Sequence, residues 1–291
     1  MTTKISSTIY VLIFSIVFSL GIFCTGCSEK KAEEELHIFL CFGQSNMEGN
    51  AKAEAQDSIG VDERFMVLQA VDCDSARVKG QWRTAIPPLV RCHTGLSPAD
   101  YFGRTMVANL PENIKVGIIN VSVGGCRIEL FDKDNYESYV ETSPDWLKNM
   151  VKEYDGNPYQ RLVDLANQAQ AEGGIIKGIL LHQGESNSGE QDWPQKVKIV
   201  YNNLLKDINL EANSIPLLAG ELVNTDQNGA CAGMNEIIRT LPDVIPNTYV
   251  IPSDSCKGIE DRLHFSAEGY RELGKRYAKQ MLSLYKVDNT K

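Results

Sequence analysis

The sequence predicts a three-layer α/β/α sandwich, a doubly wound parallel sheet of about five strands with helices on both faces. Three observations lead there. Short apolar runs alternate with longer amphipathic stretches along the 291-residue chain, as crossover helices between parallel strands require. The apolar runs have strand length, and the first two end in glycine turns. The last amphipathic stretch carries one apolar stripe at helical spacing.

Taken in order, residues 36–42 (LHIFLCF) read as a buried strand entering a glycine turn, and residues 115–123 (KVGIINVSV) read the same way before Gly124-Gly125. Residues 175–181, 215–222 and 248–251 are three further strands. Helical patterns occupy 158–171, 194–210 and 231–240, and a terminal helix spans about 267–285. Its buried stripe is Tyr270, Leu273, Tyr277, Met281 and Leu284. In such sheets ligands bind beyond the C-terminal strand ends.

The first 26 residues are a targeting segment and stand outside the fold. Lys4 supplies the charge, residues 9–23 are almost wholly apolar, and Cys24-Thr25-Gly26-Cys27 precedes an abrupt polar switch. The run is shorter than the ~20 residues of a membrane span. It resembles a bacterial lipobox, with Cys24 where leucine is usual and Cys27 as the lipidated first residue of the mature chain. The expectation is export and lipid anchoring to a bacterial outer membrane, on its periplasmic face or the cell surface. Residues 27–35, with Glu33-Glu34-Glu35, read as a flexible acidic tether, and 36–291 as one domain.

Composition narrows the function. With 43% hydrophobic and 23% charged residues the domain can build a core without metal or disulfides. The net charge is −9 and no Lys/Arg cluster occurs, which argues against a nucleic-acid partner and favours a neutral or weakly charged substrate. Exported cysteines can pair. Cys73 with Cys92 and Cys231 with Cys256 are the loop pairs expected, while Cys41, inside a strand, reads as a buried free thiol. No zinc-type spacing occurs in the mature chain, so neither metal nor cofactor is expected.

The chemistry gathers in four segments. The first strand enters Gly43-Gln44-Ser45-Asn46-Met47-Glu48-Gly49, where a serine on a tight turn exposes its Oγ as in a nucleophile elbow, though without the GxSxG spacing. Gly124-Gly125 ends the second strand and lets a backbone N–H approach a substrate oxygen. His182-Gln183-Gly184-Glu185-Ser186-Asn187 sets a dense polar cluster at the third strand's end. In Asp261-Arg262-Leu263-His264 an acid three residues before a histidine can orient its ring. His37, within the first strand, reads as structural.

These segments, GQSNM, GG, HQGESN and DxxH, resemble the four blocks of the SGNH hydrolase superfamily. More narrowly they resemble its sialate O-acetylesterase and acetylxylan esterase branch, carbohydrate esterase family six, from about Leu36 to Met281. The resemblance implies a flavodoxin-like fold and a serine esterase that removes acetyl groups from glycans. It implies Ser45 as nucleophile and His264 as general base, with Asp261 or Glu185 as the acid orienting His264. Oxyanion donors would be the N–H groups of Ser45 and of Gly124 or Gly125, with the Gln183 side chain. Asn46, Arg127, Asn187 and His93 are weaker substrate-binding candidates, as are Trp82 and Arg91. Cys126-Arg127 departs from the family's small or hydroxyl residues, leaving Arg127 to meet substrate or pair with Glu129. Residues 131–159 (Phe131, Tyr136, Tyr139, Trp146, Tyr154, Tyr159) either rim the site or pack on the domain. The alternatives are a glycan-binding lipoprotein without catalysis, which the presence of Ser45, His264 and Asp261 disfavours, and a lipase or thioesterase of the same fold.

Overall fold

Strand β1, Glu35–Gly43, is apolar on both faces because it runs through the middle of a parallel sheet covered on both sides. Alternate side chains part to opposite layers: Ile38, Leu40 and Phe42 enter one core, Phe39 and Cys41 the other. The computed structural model describes residues 1–2 and 32–285. The targeting segment from residue 3 on, and Cys27, lie outside the described residues.

The remaining strands are β2 (Phe65–Leu68), β3 (Trp82–Thr84), β4 (Ile114–Ser122), β5 (Ile175–His182), β6 (Leu217–Gly220) and β7 (Thr248–Ile251). Their order is β3-β2-β4-β1-β5-β6-β7. All pairings are parallel except β2 with the edge strand β3. The expected count of about five is thus corrected to seven. All five expected strands are present, and they alone run β4-β1-β5-β6-β7, the flavodoxin-like order, with the switch point between β1 and β5. The two extra strands, four and three residues long, come from the stretch between residues 50 and 96.

One layer of helices comprises Pro158–Ala171 and Trp193–Asp207, with Trp193 wholly buried. The other comprises Pro98–Asn109 and Ala267–Leu284. Of the terminal stripe, Tyr270, Leu273, Tyr277 and Met281 are buried as expected, and Leu284 packs at its margin. Helix Pro98–Asn109 starts with a capping box: the Ser97 N–H donates to Asp100 Oδ2 at 2.8 Å, with proline in the first turn. The expected helix over 231–240 is only Met234–Ile238, followed by the short turn Leu241–Val244.

The tether expected over 27–35 ends sooner, because Glu35 already belongs to β1 and its N–H donates to Asn113 O. Cys73 and Cys92 are disulfide-bonded, as expected. Cys231 and Cys256 are free, correcting that pairing; they pack against the cores of opposite sheet faces. Cys41 is a buried free thiol. His37 is buried and bonds Glu35 at 2.8 Å.

Candidate active site

Ser45 owes its position to Gly43. At φ +149° this last β1 residue lies so close to β5 that a Cβ would sit 2.1 Å from the His182 carbonyl oxygen. The chain then crosses over β5, the Gln44 N–H donating to His182 O at 3.1 Å, and coils into the single turn Ser45–Glu48. Ser45 is therefore presented, half-buried, at the carboxyl end of the central strand, at the switch point.

His264 arrives from the opposite end of the sequence. In the loop before the terminal helix Arg262 takes a left-handed φ of +60°, folding Asp261 back on the residues after it. Asp261 Oδ1 accepts the N–H groups of Leu263 and His264 at 2.9 and 3.0 Å. Its Oδ2 lies 2.6 Å from His264 Nδ1, and His264 Nε2 lies 2.8 Å from Ser45 Oγ. Partial burial works against the Asp261 charge, but the ring and the two backbone donors outweigh it and hold the carboxyl below its ordinary value. The three expected residues thus stand in one hydrogen-bonded chain, with Asp261 on the imidazole.

Glu185, the other acid considered for that role, forms no hydrogen bond with His264. Its Oε1 accepts from Asn46 Nδ2 at 2.6 Å, and its enclosed Oε2 has no partner among the described residues. Desolvation raises its pKa to about 7. Asn46, expected at the substrate, is instead fully buried. Its Nδ2 also donates to Leu263 O at 2.9 Å, and its Oδ1 accepts from Tyr270 Oη at 2.7 Å. One amide so clamps the serine turn to the histidine loop, correcting its expected role.

The polar cluster after β5 is framework as well. Gln183 is buried and its amide is consumed internally: Nε2 donates to Asn187 Oδ1 at 2.7 Å and to Gln44 Oε1 at 3.2 Å, while Oε1 accepts from Trp193 Nε1 at 2.5 Å. That corrects its expectation as an oxyanion donor. Asn187 Oδ1 also takes the Ile128 N–H, and Nδ2 donates to Glu129 and Glu190, so it too is enclosed rather than facing substrate. Arg127 pairs with Glu129 and with Glu190 and donates to Ser186 O, the pairing alternative. His182 is buried against Phe265, its Nε2 3.0 Å from Glu221 O; desolvation lowers its pKa to about 4, so it stays neutral.

The glycines behave differently from each other. Gly124 is buried beside Ser45; a Cβ there would lie 3.7 Å from Ser45 Cβ and 2.9 Å from Glu48 Oε2. Its N–H meets the Glu48 carboxylate. Gly125 is exposed at φ +69°, and its N–H and that of Ser45 have no acceptor among the described residues. Glu48 itself is buried, and desolvation raises its pKa against the pull of Arg91. Arg91 binds Glu48 at 2.7 Å and Glu153 at 2.7 Å, so it is an internal partner and not a substrate contact. The Glu48–Arg91 pair went unread in the sequence, where its members stand 43 residues apart with no local pattern to join them.

His93 is exposed on the loop whose Gly95 N–H donates to Gly49 O at 2.7 Å. Trp82 is remote: its Nε1 bonds Glu172 and its ring covers Gly117. Of the aromatics over 131–159, Phe131, Tyr154 and Tyr159 are core residues, and Tyr139 Oη accepts the Arg127 N–H at 3.0 Å. Trp146 lies against Gly125, beside the serine turn. A cleft of about 630 Å³ lies next to this region, lined by Ile128, Glu129, Tyr139 and Lys196 among others; Ser45 is not part of it.

A doubly wound α/β fold with a serine, a histidine and a carboxylate in series at its switch point defines a hydrolase of the SGNH-like class. Residues 35–283 match the family model described as carbohydrate esterase, sialic acid-specific acetylesterase, and the chain belongs to that family. It is a carboxylic ester hydrolase whose substrates are acetylated glycans. Among solved structures it is similar to a protein from Arabidopsis thaliana (TM-score 0.62, 20% identity, 85% of this chain and 98% of that one). It is also similar to NanS (TM-score 0.61, 14% identity, 87% and 98%). A carbohydrate acetylesterase from Xanthomonas citri follows at TM-score 0.58 and 17% identity, over 83% of this chain and 55% of that one. At these identities the likeness is one of fold.

Proposed function

We propose that the chain is a serine carbohydrate O-acetylesterase working through an acetyl-enzyme, with Ser45 as nucleophile, His264 as base and Asp261 as its orienting acid. The observation that carries this is the continuous relay from Ser45 Oγ through His264 to Asp261. Asp261 accepts from Nδ1–H, which leaves Nε2 as the acceptor for the serine proton. Ser45 Oγ then attacks the acetyl carbonyl, and the oxyanion formed is met by the Ser45 and Gly125 N–H groups, the donors free of internal acceptors. His264 returns the proton to the departing sugar oxygen, and water attacks the acetyl-enzyme with His264 again as base. No residue of the relay is deeply enclosed: the side chains of His264 and Asp261 are 19% and 41% exposed. An open site suits an acetyl group on a bulky glycan better than a long acyl chain, which asks for an apolar tunnel.

The deciding experiment is acetate release measured side by side on acetylated xylan and O-acetyl sialic acid, with Ser45→Ala alongside. Acetylated xylan is the preferred substrate of this proposal. Loss of at least a thousandfold in kcat with an unchanged fold is expected for Ser45→Ala; activity well above that level would remove Ser45 as nucleophile. We further propose that Cys27 anchors the exported protein to the membrane. Cys27→Ser should move it to the soluble fraction, and a variant that stays membrane-bound would refute lipidation there.

A further inference from the structure

We propose that the indole of Trp146 is a stacking platform for a sugar ring of the substrate; the proposal rests on the glycan-esterase reading above and adds to it the residue that grips the carbohydrate. Trp146 is unlike the other two tryptophans. Trp193 is wholly buried and Trp82 is tied to Glu172, whereas Trp146 is 50% exposed and its Nε1–H has no acceptor among the described residues. An indole left half in water at a fixed place offers an apolar face with a polar donor at its edge, the pairing that a pyranose presents in reverse, C–H face and hydroxyl rim.

Its position ties it to the chemistry. The six-membered ring lies on Gly125: a Cβ built there would come within 2.7 Å of Trp146 Cη2. Glycine at this point therefore makes room for the ring, besides tolerating φ +69°. The neighbouring Gly124 is the one against Ser45 Cβ, so one peptide step of about 3.8 Å separates the ring's support from the serine's. The indole is also held. Helix Asp145–Lys152 packs Leu147, the next residue, and Val151, one turn further on, into the core, so the backbone that carries the indole is already ordered and its ring rests on Gly125. A sugar whose acetyl carbon is at Ser45 Oγ has its ring an ester linkage away, over this edge of the site.

Covering the free half of an indole, about 100 Å² at roughly 25 cal/mol/Å², corresponds to a change on the order of tenfold to a hundredfold in binding. The test compares wild type, Trp146→Ala and Trp146→Phe on acetylated xylo-oligosaccharide and on p-nitrophenyl acetate. The expected result is a ratio of glycan to p-nitrophenyl acetate kcat/KM that falls at least tenfold in Trp146→Ala, chiefly through KM, and recovers in part in Trp146→Phe. In the Ser45→Ala background, binding of unacetylated xylo-oligosaccharide should weaken by a similar factor when Trp146 is also replaced. An unchanged ratio together with unchanged binding overturns the platform and leaves the esterase reading standing. Selective loss on long-chain p-nitrophenyl esters instead of glycan would make Trp146 an acyl contact and overturn it too. Failure of the glycan reading looks different: wild type would cleave p-nitrophenyl acetate yet release no acetate from any acetylated glycan and bind none, which overturns both.

Discussion

Replacing Asp261 by Asn removes one charge from the relay and little else. Asn can keep the Oδ1 interactions with the Leu263 and His264 N–H groups, so the turn should survive. At His264 Nδ1, 2.6 Å away, a carboxylate that accepts becomes an amide able to donate. Two losses follow. The imidazolium formed as Ser45 attacks loses its counter-charge, worth about 4 kcal/mol at 4 Å and an effective dielectric near 20. Because Asp261 is 41% exposed, solvent screening removes about half of that; the remaining ~2 kcal/mol is roughly thirtyfold in kcat. An amide donating to Nδ1 also selects the tautomer with its proton on Nε2, which cannot accept from Ser45, and this wrong-tautomer effect reaches about ten-thousandfold where the site is closed. The expected loss is about a thousandfold in kcat on p-nitrophenyl acetate, with Tm within a few degrees of wild type. Glu185→Gln, which leaves His264 bonded to Asp261, should cost less than about tenfold. A loss below tenfold for Asp261→Asn, or a larger one for Glu185→Gln at unchanged stability, would refute the assignment of the orienting acid.

Glu185 carries a separate stability prediction. Its pKa is raised from 4.5 to about 7, so the folded state holds this proton more tightly than the unfolded chain. The associated stabilisation is full below about pH 4.5 and is lost as pH rises through 7, to a limit on the order of 3 kcal/mol. The Tm of Glu185→Gln relative to wild type should therefore climb by several degrees from pH 5 to pH 8, and a flat or falling difference by calorimetry would contradict a buried, proton-holding carboxyl. Arg91→Met strands the Glu48 carboxylate and should destabilise by about 3 kcal/mol; adding Glu48→Gln should restore most of it. If the double variant is no more stable than the single one, the pair is not what holds this corner.

Sequence by itself determined the layer architecture and the five central strands, and it singled out Ser45, His264 and Asp261, which the fold brings into one hydrogen-bonded chain. Each depends on signals that are local: apolar runs long enough to show their character, glycine at a forced crossing, an acid three residues from a histidine whose turn closes on itself. It also carried an unread signal, the Ser97–Asp100 capping box with Pro98 that starts helix Pro98–Asn109. Strands β2 and β3 escaped because three or four residues cannot display a period, and they are defined by pairing, β2 along the edge of β4 and β3 along β2. Tertiary structure alone decided the fate of the polar residues around the site. Gln183, Asn187 and Asn46 look like substrate ligands in one dimension, since an amide at a strand end has the same composition whether it faces water or protein. Burial settles it: enclosed amides must have their bonds met, and Glu129 and Tyr270, 58 and 224 residues away in sequence, are brought in with the nearer Glu190 and Trp193 to meet them. Which carboxylate lies against the imidazole follows from the same closure, which leaves Asp261 2.6 Å from His264 Nδ1 and Glu185 on the Asn46 amide.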